Sequence, residues 1–137
     1  MEECNYRVPA VAPGTIRVPG TEIVVCLELI EKLETSGLSD SVYNDKMGCL
    51  NWRSLSGSLE LRNWRPGDQY QPVGSTSKEK IKVLFQKARI PTWERRHWPI
   101  LVDGDSIVWA RRFGAAGEFV AGPGAKVILK VGEAGAR

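Results

Sequence analysis

The sequence predicts an α+β domain that is mostly β, with about seven short strands, one main helix and one short helix. Three observations carry this. Apolar and polar residues alternate in several short runs bounded by Gly, Pro, Asn and Asp, as in Leu59-Glu60-Leu61-Arg62 and Val127 to Val131. Only one segment has clear helical spacing: Ile81, Leu84, Phe85 and Ala88 fall at i, i+3, i+4 and i+7. Asp103-Gly104-Asp105 lies between Ile100-Leu101-Val102 and Ser106-Ile107-Val108-Trp109, a two-strand hairpin signal.

Residues 1–14 carry Pro9 and Pro13, with Pro19 nearby, and no periodicity, so they are expected to be a lead-in. Gly14 to Gly20 forms a short strand bounded by turn residues. Thr21 to Ile30 is β-branched and apolar enough for a buried strand, although Glu28 to Leu33 could equally begin a helix. Residues 34–48 are polar and loop-like, and Asn51 to Arg62 holds two strand-like runs around Ser56-Gly57. Thr76 and Glu79 have capping-box spacing, which starts the main helix at Ser77, and Pro91 ends it at Ile90. Thr92 then caps a short helix that holds Trp93, Arg95, Arg96 and Trp98 before Pro99. After the hairpin, Gly122-Pro123-Gly124 turns the chain into a last strand from Lys126 to Val131. A single domain over 15–132 follows, with a tail at 133–137.

Composition narrows the function. The chain has 137 residues, of which 26% are charged, enough for one domain with a real core. The longest apolar run, Ile23 to Ile30, is broken by Glu28 and is too short to span a bilayer. Met1-Glu2-Glu3-Cys4 has no signal-peptide character, so a cytoplasmic location is expected. Cys4, Cys26 and Cys49 are odd in number and form no C-x-x-C pair, which argues against a disulfide framework and a zinc site. There is one histidine, His97, and no G-x-S-x-G, so neither a His-based metal cluster nor a serine nucleophile with its base is indicated.

Charge is unevenly placed. From Arg62 to Arg112 there are eleven Lys and Arg against five Asp and Glu, net +6, whereas the whole chain is +3. Lys78, Lys80, Lys82, Lys87 and Arg89 surround the apolar stripe of the helix, with Glu79 as their one acidic neighbour. A solvated face usually mixes signs to gain i,i+4 pairs, so this excess suggests an anionic partner. A lipid surface fits less well, because the helix lacks an apolar insertion face. Just upstream, Arg62-Asn63-Trp64-Arg65-Pro66-Gly67-Asp68 ends a strand in a tight turn. Pro66 presets one φ, Gly67 supplies a positive φ, and Asp68 can accept from local amides or pair with Arg62 or Arg65. The two arginines suit either a bidentate phosphate contact or a plain hairpin flank. Trp52, Trp64 and Trp109 sit in strand patterns and are expected in the core. Trp93 and Trp98 flank a basic turn and are the candidates for base contact.

The ordered series Arg62, Arg65-Pro66-Gly67-Asp68, Pro72, Gly74, Lys80, Lys82, Leu84-Phe85, Lys87, Ile90-Pro91, Arg95, Pro99 and the hairpin into Trp109 resembles the C-terminal domain of bacterial tRNA(Ile)-lysidine synthetase. It covers 59–109. The match is looser upstream, over Val18-Pro19-Gly20 and Tyr43-Asn44-Asp45-Lys46, and Arg111-Arg112-Phe113-Gly114 departs from the family's wording. The resemblance implies a β-sandwich-like module, shared with the phenylalanyl-tRNA synthetase β subunit, that grips the acceptor-stem region of the tRNA. It implies that an N-terminal ATP-pyrophosphatase domain uses ATP and lysine to convert the wobble cytidine of the CAU anticodon of tRNA(Ile) to lysidine. That domain's S-G-G-x-D-S loop is absent from this sequence, so the chain resembles a detached, non-catalytic terminal domain needing no cofactor or metal of its own.

Phosphate and shape contacts suit an A-form stem, whose major groove is too narrow for side chains to read. Arg65, Lys80, Lys82 and Arg95 are the leading tRNA-binding candidates, followed by Arg62, Lys78, Lys87 and Arg89. The alternative is an interaction module that docks on and positions the catalytic domain without binding RNA. A freestanding enzyme fits least, given one histidine and no metal cluster.

Overall fold

The computed structural model describes residues 6–31, 49–120 and 126–134. The expected loop at 34–48, the Gly122-Pro123-Gly124 turn, Tyr43 to Lys46 and Cys4 lie outside them. Two antiparallel sheets form a sandwich. The first contains β1 (Arg7–Pro9), β5 (Leu59–Asn63), β8 (Pro99–Asp103), β9 (Ser106–Ala110) and β10 (Gly114–Ala115), in that spatial order. The second runs β2 (Gly14–Arg17), β3 (Val24–Glu31), β11 (Val127–Ala134), β4 (Cys49–Asn51). A third, two-stranded sheet pairs β6 (Gln69–Tyr70) with β7 (Glu79–Lys80), next to α1 (Ile81–Lys87) and α2 (Thr92–Arg95).

The expected α+β, mostly β architecture is therefore present, as three layers with β8 near the middle. All five β8 residues are buried. Leu101 joins Leu61, Trp109, Leu27, Leu50 and Leu129 in the core between the sheets. Its neighbours Ile100 and Val102 join Tyr70, Ile81, Phe85 and Trp98 in a second core under the helices. A strand with apolar residues on both faces must be covered on both, and α1 supplies the second cover. On β9 the pairing shifts from Leu101↔Trp109 to Val102↔Ile107. Val108 is the extra residue of this bulge, and both Val108 and Trp109 belong to the inter-sheet core. Gly104, at φ +64, occupies the first position of the two-residue hairpin loop between Asp103 and Ser106.

Several expectations need correction. The lead-in is partly ordered, because Arg7–Pro9 adds an edge strand to β5 and Arg7 pairs with Glu60. Thr21 to Ile30 is a strand only from Val24, and the helical alternative at Glu28 fails because β3 pairs with β11 along its whole length. The run after Asn51 is a 3-10 turn at Trp52–Ser54, started by the Asn51 side chain accepting from the Arg53 amide. β11 continues past 132 to Ala134, where Glu133 and Ala134 pair with Val25 and Val24. Among the described residues, no helix is long and apolar enough to cross a membrane.

Candidate nucleic-acid interface

The two basic motifs become one structural unit. At the turn, Gly67 takes φ +96 and the Asp68 amide donates to the Arg65 carbonyl at 3.1 Å, closing the expected tight turn. The Asp68 carboxylate accepts both Arg62 guanidinium nitrogens, at 2.9 and 3.0 Å, and the Arg65 amide at 2.8 Å. The chain then runs into β6, and Gln69 pairs with Lys80 across the ladder. The Ile81 amide at the start of α1 donates to the Asp68 carbonyl at 3.0 Å. Turn, ladder and helix start are thus joined by backbone hydrogen bonds, and the cations on each are held in one frame.

Helix α1 is shorter than its sequence suggests at both ends. It begins at Ile81, not Ser77, because Glu79 and Lys80 pair with β6 before helical geometry starts. The expected capping box is absent: the cap is Lys80, with no side-chain cap bond, and the Ile81 amide is satisfied by Asp68. Glu79 instead lies 3.8 Å from the Lys87 amine. At the other end the last helical residue is Lys87, ahead of the proline stop. Arg89 turns left-handed at φ +58, and the Ile90 amide donates to Phe85 O at 2.9 Å while the Arg89 amide donates to Gln86 O at 3.1 Å. That pair of bonds is a Schellman close, whose left-handed position is normally glycine. Ile81 and Phe85 are buried as expected, but this early close leaves Ala88 exposed.

The candidate contacts divide into two groups. Lys78, Lys80, Lys82, Lys87 and Arg89 are exposed around β7 and α1. Arg65 is half-buried, and its Nε has no hydrogen-bond partner among the described residues. Arg62 is committed to Asp68, with its side chain only 13% exposed. Arg95 donates from Nε to Ile90 O at 2.9 Å and places its guanidinium over the Phe85 ring, 5.3 Å from the centroid. Arg62 and Arg95 therefore hold the basic elements in place, and the exposed lysines with Arg89 form the outward charge. A cleft of about 310 Å³ beside the turn is lined by Arg62 and Lys78 but also by Asp68, Asp105 and Glu118. Those carboxylates make the cleft a poor anion site, so the cationic surface is the outer side of β7 and α1.

The tryptophans separate cleanly. Trp98, a candidate for base contact, is fully buried between Phe85 and Phe113, and its indole N–H donates to Arg111 O at 2.9 Å. Trp93 is 69% exposed. Trp109 is in the core, whereas Trp52 and Trp64 are half-buried against the two cores. Arg111, to which the sequence assigns no role, forks onto Glu133 with both contacts at 2.9 Å and covers the Trp98 ring at 4.6 Å. It ties the end of β9 to the end of β11. Pairing at 22 residues' separation leaves no local sequence signal. Among the described residues, no group of three or more His, Cys, Asp or Glu is placed to hold a metal ion.

This arrangement of turn, ladder and helix falls within one known sequence pattern. The model of the family described as TilS substrate C-terminal domain matches residues 59–130, from β5 through the basic unit into β11. The chain belongs to this family. A tRNA(Ile)-lysidine synthase of Solibacter usitatus is 62% identical over 128 residues, covering 93% of this chain and 29% of that protein. A tRNA(Ile)-lysidine synthase of Symbiobacterium thermophilum is 32% identical over 101 residues, covering 74% and 20%. A solved structure described as the crystal structure of the TILS C-terminal domain superposes with a TM-score of 0.76 at 22% identity, covering 94% of this chain and 95% of that one. The fold is therefore that of the family's C-terminal domain, and the chain spans less than a third of the length of these two curated relatives.

Proposed function

We propose that this TilS C-terminal domain is the tRNA-gripping part of a tRNA(Ile)-lysidine synthase. It holds the acceptor-stem region of tRNA(Ile) through phosphate and shape contacts. An ATP-dependent ligase domain elsewhere in the protein modifies the wobble cytidine of the CAU anticodon, and ATP and lysine are its co-substrates. The domain itself performs no chemistry. One observation carries the reading: five exposed cations, Lys78, Lys80, Lys82, Lys87 and Arg89, cluster on the β7–α1 unit, with Glu79 the acidic side chain among them. Such a surface follows a phosphate ridge, and on an A-form stem the accessible features are phosphates and 2′-hydroxyls. The names of the relatives, which specify tRNA(Ile), supply the substrate class.

Backbone footprinting of tRNA(Ile) with this chain tests the reading. Protection concentrated on the phosphates of the acceptor stem is expected. Protection confined to the anticodon arm, or none at low salt, would contradict it and favour a module that only docks on the ligase domain.

A further inference from the structure

A second surface feature is left over from the basic unit. Between the Gly20–Ile23 loop and α2 lies a groove of about 510 Å³, walled by Ile23, Trp93, Glu94, Arg96, His97 and Arg111. Its size is within the range of about 300–1,000 Å³ that accommodates small ligands. Trp93 contributes an indole that the fold does not bury, although the neighbouring Trp98 is fully buried. Arg96 is exposed. Gly20, at φ +80, lets the His97 ring lie against the loop, since a Cβ at Gly20 would come 3.2 Å from His97 Cε1. Nδ1 of His97 is buried without a hydrogen-bond partner among the described residues, leaving one hydrogen bond at the groove wall unmade. Arg111 is held by Glu133, and Glu94 adds a negative charge, so the groove as a whole is no anion sink. The chemistry that fits is a flat, uncharged aromatic ring carrying one phosphate: the ring against Trp93, the phosphate beside Arg96.

We propose that this groove takes an unpaired nucleotide of the RNA gripped by the basic face, its base stacked on Trp93. The inference rests on the RNA-binding reading above and names a subsite for it. Continuity supports the pairing of the two surfaces. Arg95 bonds to Ile90 O and covers Phe85, so α2 is fixed to α1 and the groove keeps a set orientation to the exposed cations. An unpaired base has a free π-face that a base within a duplex lacks, and an indole gains from it without reading sequence.

The test compares binding of the full 137-residue chain to two RNA hairpins with the same stem, each closed by a non-nucleotide linker so that the loop offers no unpaired base. One is blunt, and the other carries a short single-stranded extension, tried at either end. The extension should tighten binding by about tenfold, within the range of one base–aromatic stack. Trp93→Ala should erase that increment and leave blunt-hairpin binding unchanged, while Trp93→Phe retains most of it. Trp93 is exposed, so both variants should fold, which circular dichroism checks. An absent increment, or one that survives Trp93→Ala, overturns the subsite while blunt binding keeps the basic-face reading. If Trp93→Ala instead weakens only association with the rest of the synthase, the groove is a protein contact and the proposal fails. Failure to bind either hairpin overturns both readings.

Discussion

Asp68 takes both guanidinium nitrogens of Arg62, and the pair is nearly shut off from water, with side chains 13% and 14% exposed. The same carboxylate accepts the Arg65 amide, and the Asp68 carbonyl accepts the first amide of α1. The pair therefore sets the geometry of the turn and the start of the basic helix. Arg62→Ala should cost about 3 kcal/mol, because it leaves a largely buried carboxylate without its partner. Arg62→Lys should recover only part of this, since an ammonium cannot fork onto both oxygens. Urea denaturation measures both. In RNA binding, the paired variant Arg62→Gln with Asp68→Asn, which removes both charges of the pair, should keep the wild-type salt slope if Arg62 is held by Asp68 and makes no phosphate contact. A slope lowered by about one would show that it does make one.

Arg89 occupies the left-handed closing position of α1, where a side chain costs about 1 kcal/mol relative to glycine. Arg89→Gly should stabilise the domain by roughly that amount and weaken RNA binding by one lost phosphate contact. Stability and affinity moving in opposite directions would mark the arginine as kept for its charge. Unchanged affinity would leave its position unexplained.

Phe85 is fully buried and touches Trp64, Trp98, Phe113 and the guanidinium of Arg95. Phe85→Ala should cost about 3–5 kcal/mol by opening a cavity in the second core. The loss should also free α2 from α1, seen as faster amide exchange over Thr92–Arg95 than over β3 and β11. A uniform increase across the chain would mean that the two cores do not respond separately.

Tyr6 and Tyr70 donate their hydroxyls to His97 O at 3.1 Å and Gly114 O at 2.9 Å. Burial raises both pKa values well above the ordinary 10.0, and for Tyr6 the nearby Arg111 offsets this in part. Above pH 10 the unfolded chain releases these protons while the folded chain keeps them. The unfolded state then binds fewer protons, so stability falls as pH rises. The slope should grow from about 0.7 kcal/mol per pH unit for each tyrosine at pH 10 toward about 1.4 near pH 11, and be small below about pH 9. Denaturation midpoints from about pH 8 to about pH 11 check this, with Tyr70→Phe giving a shallower decline. A flat alkaline profile would contradict the buried-hydroxyl assignment.

What was legible in the sequence was local. The alternation around Leu61, the Asp103 to Ser106 hairpin and the Pro66-Gly67 turn each depend on residues a few positions apart, and each formed as expected. The helix start was missed because its competitor was not local: Glu79 and Lys80 pair with Gln69 and Tyr70, and a carbonyl from Asp68 replaces the side-chain cap. β1 was missed because three residues with a proline carry no period, and only the edge of β5 makes them a strand. In the site, the cations of β7 and α1 could be found from charge excess alone. That Arg62 and Arg95 face inward could not, since either arginine could reach a phosphate or a neighbour. Trp98 and Trp93 have the same basic context in sequence, and only packing against Phe85 separates them.

The central claim is that the outward cations of β7 and α1 grip RNA phosphates. The most direct measurement is the salt dependence of tRNA(Ile) binding by the wild-type chain and by Lys80→Glu with Lys82→Glu. Both lysines are exposed, so the double variant should keep its fold. The wild-type chain should show a steep log–log slope, lowered by about two in the variant together with a large loss of affinity at low salt. Equal slopes and equal affinities would contradict the claim and leave the basic face without an RNA role.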